Sequence, residues 1–119
     1  MDRFLVLHCE TSVSSDHYLT KAQKDYKCFK KYGHLFLIKI ELECHVLNLP
    51  TNGMMLDFSS IKKEVVKLDH ALLNKYIDTP TCENICIYLS DKIEKILPED
   101  VILKKIRVQE SSGNSVEWG

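Results

Sequence analysis

The chain has 119 residues, of which 45% are hydrophobic and 28% charged. That composition fits one globular domain, residues 1–119, whose shallow core makes a deep cavity easier to build between copies than inside one. Sixteen basic against 17 acidic side chains, a net charge of −1, argue against a nucleic-acid module with its basic excess on one face. No apolar run approaches the ~20 residues of a membrane span; Leu35 to Ile38, for example, is cut by Lys39.

Arg3 to Glu10 is rich in Phe, Leu and Val and predicts a short strand. Its opening Met1-Asp2-Arg3 lacks the pattern of a secretory signal, so a cytoplasmic location is expected. Thr11 to Lys31 is polar with little periodicity and reads as a long loop, a kind of segment that often carries function. From Gly33 to Leu47 the pattern has period two. Phe36, Ile38, Ile40, Leu42 and Cys44 share one face, and Lys39, Glu41, Glu43 and His45 the other, as in a half-buried strand. The turn cluster Asn48 to Gly53 then predicts a hairpin into Met54-Met55-Leu56.

Asp57, Ser59 and Ser60 offer N-caps for a helix with Ile61, Val65 and Leu68 on one stripe. A second helix should begin near Pro80-Thr81, with Thr81 as cap and Glu83 suiting the positive first turn. Cys82, Ile85, Cys86, Leu89, Ile93 and Ile96 step by three and four along it until Pro98. Lys104 to Glu110 alternates again. The predicted order is strand, strand, helix, helix, strand: an α+β domain, an antiparallel sheet with two helices packed on one face.

Five cysteines, an odd number without a secretory signal and with no Cys-x-x-Cys pair, do not form a disulfide framework or zinc ribbon. Most read as small core hydrophobes. Cys28 stands among Lys27, Lys30 and Lys31, whose charges favour a thiolate; a surface cysteine in a basic loop fits equally well. Glu110 shares the parity of Ile106 and Val108. It is either a strand end that reaches water or an acceptor for the amidine-like N–H edge of a nitrogen heterocycle. Tyr32 and His34, two apart, point to one face and could meet His17; a hydrogen-bonded rim histidine is the plainer reading of His34. Asp69-His70 supplies a carboxylate beside an imidazole. On a regular helix neighbours diverge by about 100°, which would leave Asp69 orienting another group.

Taken in order, these segments resemble the 6-pyruvoyl-tetrahydropterin synthase and 6-carboxytetrahydropterin synthase family. Ser14-Ser15-Asp16-His17-Tyr18-Leu19 is similar to its first histidine segment, and Cys28-x-x-x-Tyr32-Gly33-His34 to the Cys-x-x-x-His-Gly-His of its bacterial branch. Gly53-Met54-Met55-Leu56-Asp57-Phe58, Leu68-Asp69-His70-x-x-Leu73-Asn74, Pro80-Thr81-x-Glu83-Asn84 and Gln109-Glu110-Ser111 follow at the places of its later motifs.

The resemblance implies the tunnelling fold, a barrel-forming homo-oligomer (a hexamer of two trimers) with active sites at subunit interfaces, and a zinc-dependent lyase. It implies Zn2+ on His17 and His34, Cys28 as general base, Asp69 and His70 as the remaining proton-transfer groups, and Glu110 as anchor of the pterin ring. The implied substrate is 7,8-dihydroneopterin triphosphate. The short gap after Cys28 favours 6-carboxy-5,6,7,8-tetrahydropterin as product, for queuosine-type deazaguanine synthesis, over the pyruvoyl product. One departure stands out: Tyr32 occupies the place of the middle zinc histidine, whereas catalytic zinc uses three protein ligands. A non-catalytic pterin-binding oligomer is therefore the competing expectation.

Overall fold

A computed structural model describes residues 3–17, 32–111 and 113–119, and for His17 and residues 32–34 the backbone alone. Six elements follow in chain order: β1 (Phe4–His17), β2 (Tyr32–His45), α1 (Phe58–Val66), α2 (Cys82–Glu94), β3 (Ile102–Glu110) and β4 (Ser115–Trp118). The strands form one antiparallel sheet in the order β1-β2-β3-β4. Both helices cover the face that carries Val13, Phe36, Ile38, Ile40, Leu42, Ile106 and Val108. The α+β expectation is met.

Alternation explains the sheet. On β2 the even positions from Phe36 to Cys44 are buried, while Lys39, Glu41 and Glu43 lie on the uncovered face, as a sheet with one wet face requires. A β-bulge changes the parity of β3. Glu41 pairs with Lys105 and Leu42 with Leu103, leaving Lys104 as the extra residue. Leu103 and Ile106 can therefore both face the core although three positions separate them.

The helices follow their caps. Asp57 Oδ1 accepts the Ser59 N–H at 2.9 Å, and Ile61 and Val65 then fall on the buried stripe of α1. Thr81 Oγ1 accepts the Asn84 N–H at 3.1 Å, and Cys82, Ile85, Cys86, Leu89 and Ile93 face the core from α2. This helix ends at Glu94, before Pro98; Ile96 lies beyond it and is exposed. The cysteines Cys9, Cys44, Cys82 and Cys86 are free and buried, in keeping with their reading as core residues.

Three expectations need correction. Thr11 to His17 is not loop but the second half of β1, paired with β2 residue by residue from Ile38 to Tyr32. Its small polar residues alternate with Val13 and Ser15, which are buried at 1% and 2% exposure, so the segment has a strand's inner face without an apolar run. Met54-Met55-Leu56 is not a strand. A hairpin partner for β2 would need a free edge, and β1 and β3 occupy both. The chain instead makes a 3-10 turn at Val46–Asn48 and a turn in which the Gly53 N–H meets the Pro50 carbonyl at 2.9 Å. The short β4, finally, has no counterpart in the predicted order. The Gly113 N–H donates to the Glu110 carbonyl at 2.9 Å, with Gly113 at φ 98°, and the hairpin lays Val116 and Trp118 against the core rim.

Candidate active site

The candidate groups gather where β1 and β3 end and β2 begins. His17 pairs with Tyr32, Ser15 with His34, and Val13 with Phe36, which also pairs with Glu110 on β3. Thus the positions of His17, Tyr32 and His34 fall on two alternate rungs of one ladder, separated by the Asp16–Gly33 rung and at the parity of Ser15 and Phe36. Cys28 lies outside the described residues. The other histidines stand elsewhere. His8 is on the uncovered face, 4.0 Å from Glu41, and His45 accepts the Leu47 N–H at 3.1 Å at the far end of β2.

Asp69 and His70 reach this end of the sheet because the chain after α1 is bonded to the end of β1. The Ser14 N–H donates to Asp69 Oδ1 at 2.8 Å, and the His70 N–H donates to the Ser14 carbonyl at 2.6 Å. Ser15 Oγ donates to the Leu68 carbonyl, and the Asp16 N–H to the Ala71 carbonyl at 3.0 Å. Asp69 thus orients backbone, one of the two outcomes foreseen for it. Yet the pair is not split: Asp69 Oδ2 lies 3.6 Å from His70 Nε2. The expected divergence fails because the residues sit in a turn, with His70 at φ 54°, not on a regular helix. Among the described residues His70 is the one non-glycine with positive φ, a conformation that clusters at functional sites. Its ring is 82% exposed, accessible to a ligand. Ser14, Ser15, Asp16 and His70 line a cleft of about 150 Å³.

Glu110 is half-buried, as its parity implied, and not frayed into water. Cys82 Sγ donates to Glu110 Oε1 at 3.2 Å, which places the carboxylate beside the first turn of α2. The sequence reading took Cys82 only as core. Its position opposite a carboxylate of inward parity was the available signal, but the register that brings them together comes from the tertiary structure.

A sheet of this order with two helices on one face places the chain in the tunnelling-fold class. Structural relatives agree. The 6-pyruvoyl tetrahydropterin synthase of Caenorhabditis elegans superposes with a TM-score of 0.77 at 25% identity, covering 98% of this chain and 95% of its own. That of Plasmodium vivax shares the fold with a TM-score of 0.67 at 18% identity, covering 98% of each chain. The sequence profile of the 6-pyruvoyl tetrahydropterin synthase family matches residues 7–119, and the chain belongs to that family, whose members are lyases of pterin biosynthesis.

Two relatives bear on the details. A dihydroneopterin monophosphate aldolase of Pyrococcus furiosus is 38% identical over 93 residues, covering 73% of this chain and 78% of the relative. An Archaeoglobus fulgidus protein, provisionally assigned as a 6-carboxy-5,6,7,8-tetrahydropterin synthase, is 33% identical over 122 residues, covering 99% and 96%.

Proposed function

We propose that the protein is a lyase acting on the side chain of 7,8-dihydroneopterin triphosphate, of the 6-carboxy-5,6,7,8-tetrahydropterin synthase type and serving queuosine-type deazaguanine synthesis in the cytoplasm. The observation that carries this reading is the bonding of Asp69 and His70 to the end of β1, beside the position of His17. The near full-length match to the Archaeoglobus protein supports the choice of product.

Each residue has a task the chemistry requires. The Glu110 carboxylate accepts the N–H edge of the pterin ring, two parallel hydrogen bonds that also set its orientation. His70, exposed and 3.6 Å from Asp69, exchanges protons with the side-chain carbons and oxygens, while Asp69 fixes the pair to β1. Cys28, among its lysines, is the base that removes the carbon-bound proton.

His17 and His34 are the residues to hold Zn2+, with the Tyr32 phenol as third donor. The three positions stand on two alternate rungs of the ladder, with only the Asp16–Gly33 rung between them, and two imidazoles with a phenol are a nitrogen and oxygen donor set for a divalent cation. When bound, zinc supplies a Lewis acid that polarises the substrate's side-chain oxygens.

A second reading, cleavage of the monophosphate by an aldolase reaction, is favoured by the Pyrococcus relative. It uses the same groups. A cleft of about 150 Å³ is small beside ligand pockets of ~300–1,000 Å³. This favours a site completed by a second copy in a homo-oligomer, read here as a hexamer of two trimers.

Incubating purified, zinc-assayed protein with the triphosphate and the monophosphate separately tests the function. Release of inorganic triphosphate with acetaldehyde and the carboxylated product supports the leading reading. Carbon–carbon cleavage of the monophosphate alone replaces it with the aldolase. Pterin binding without turnover of either, with turnover restored by Tyr32→His, establishes a non-catalytic binder.

A further inference from the structure

Cys82 is a buried thiol to which the proposed chemistry gives no task. It is the first residue of α2, 7% exposed, with its Sγ 3.2 Å from Glu110 Oε1. Burial, and then the neighbouring Glu110 carboxylate, raise its pKa far above the ordinary thiol range. It therefore keeps its hydrogen at neutral pH and acts as a donor, not a nucleophile. The other buried thiols differ. Cys86, for instance, donates to the carbonyls of Ile106 and Val116, at 3.9 and 3.6 Å.

We infer that Cys82 is a positioning residue for Glu110, holding Oε1 so that the carboxylate plane is set before the pterin arrives. This rests on the reading of Glu110 as ring anchor. Fixing a glutamate side chain has a free-energy cost, because its rotamer freedom is lost. A site that has already fixed it binds more tightly by part of that amount. A carboxylate has about four acceptor positions, and one thiol hydrogen uses one of them. The thiol is a weak donor, and it directs the carboxylate without competing strongly for it. The start of α2 adds a favourable field, because the positive end of a helix stabilises a nearby carboxylate.

The test is fluorescence titration of the full chain with neopterin, with unfolding midpoints measured in parallel. Glu110→Gln should weaken binding strongly. Cys82→Ala should weaken it by about five- to tenfold, the scale of one hydrogen bond. Cys82→Ser, which restores a donor, should recover affinity to within about threefold of the natural protein. In the Glu110→Gln background Cys82→Ala should add less than about twofold, since coupled residues are not additive. Cys82→Val, similar in volume but without a donor, carries the comparison if the alanine variant unfolds.

Wild-type affinity in Cys82→Ala or Cys82→Val, with Glu110→Gln still impaired, overturns the positioning role and leaves the anchor standing. Wild-type affinity in Glu110→Gln removes both. An undiminished Cys82→Ala loss in the Glu110→Gln background means that Cys82 acts through packing, and the proposal falls.

Discussion

Asp69 performs two tasks that two substitutions can separate. Its Oδ1 takes the Ser14 N–H at 2.8 Å across 55 residues of sequence, and its Oδ2 lies 3.6 Å from the His70 ring. A hydrogen bond to a charged group contributes about 1.5–3 kcal/mol. Asp69 is 30% exposed, so water replaces part of the loss and about 1–2 kcal/mol is expected for Asp69→Ala. At about 3–6 °C per kcal/mol for a domain this size, the melting temperature should fall by about 3–12 °C.

Asp69→Asn keeps a carbonyl oxygen for Ser14 and should lose less than about 0.5–1 kcal/mol. It removes the negative charge beside His70, however, and should lower turnover of the phosphorylated dihydroneopterin by about 10²–10⁴-fold, the range of an acid–base contribution. Thermal denaturation at fixed protomer concentration, together with steady-state turnover, reads both effects. An alanine variant that melts with the natural protein, or an asparagine variant with full turnover, would refute the division of labour.

His70→Gly should leave stability unchanged or raise it by about 0.5–1 kcal/mol, because a non-glycine residue is strained in the left-handed region. The His70 φ is 54°, and its N–H bond to Ser14 belongs to the main chain. Turnover should still fall more than about 100-fold for want of the imidazole; a large loss of stability would show that the ring itself supports the turn. Burial, with a smaller addition from Glu83, pushes the Cys86 thiol up to about 11 against an ordinary 9.0, while a backbone hydrogen bond at Val108 opposes the shift. The unfolded thiol therefore ionises first. Its contribution to stability is complete below pH 9 and declines as pH rises towards 11. Urea midpoints from pH 7.5 to 11 should fall less steeply in Cys86→Ala, and an identical slope would count against the shift.

Much of this architecture was legible because local and global signals agree. The α2 stripe, its Thr81 cap and the alternation of β2 each predict what the fold uses. The second half of β1 was not legible. Ser12, Ser14 and Asp16 suit turns as readily as an exposed strand face, and only pairing with β2 decides between them. The predicted hairpin at Met54 failed for a related reason: strand order is a tertiary fact, and turn residues alone cannot show that both edges of β2 are taken. At the candidate site, the half-buried position of Glu110 was legible from parity. The Asp69–His70 proximity depends on a positive φ that no local pattern announced for a histidine. The Cys82–Glu110 contact required the packing of α2 on β3.

The lacing of residues 68–71 to the end of β1 makes the site sensitive to chain length and tolerant of chemistry. Two of its links, Ser14 to His70 and Asp16 to Ala71, join main-chain atoms alone and survive most exchanges of side chain. A tyrosine at position 32, where the motif it resembles has histidine, is therefore compatible with this main-chain framework. Removing a single residue between Ser14 and His17 has the opposite effect. Every later strand position would turn to the other face of the sheet and the turn would lose its register. Diversification of this site should accordingly proceed by substitution, with the spacing of these two segments held constant.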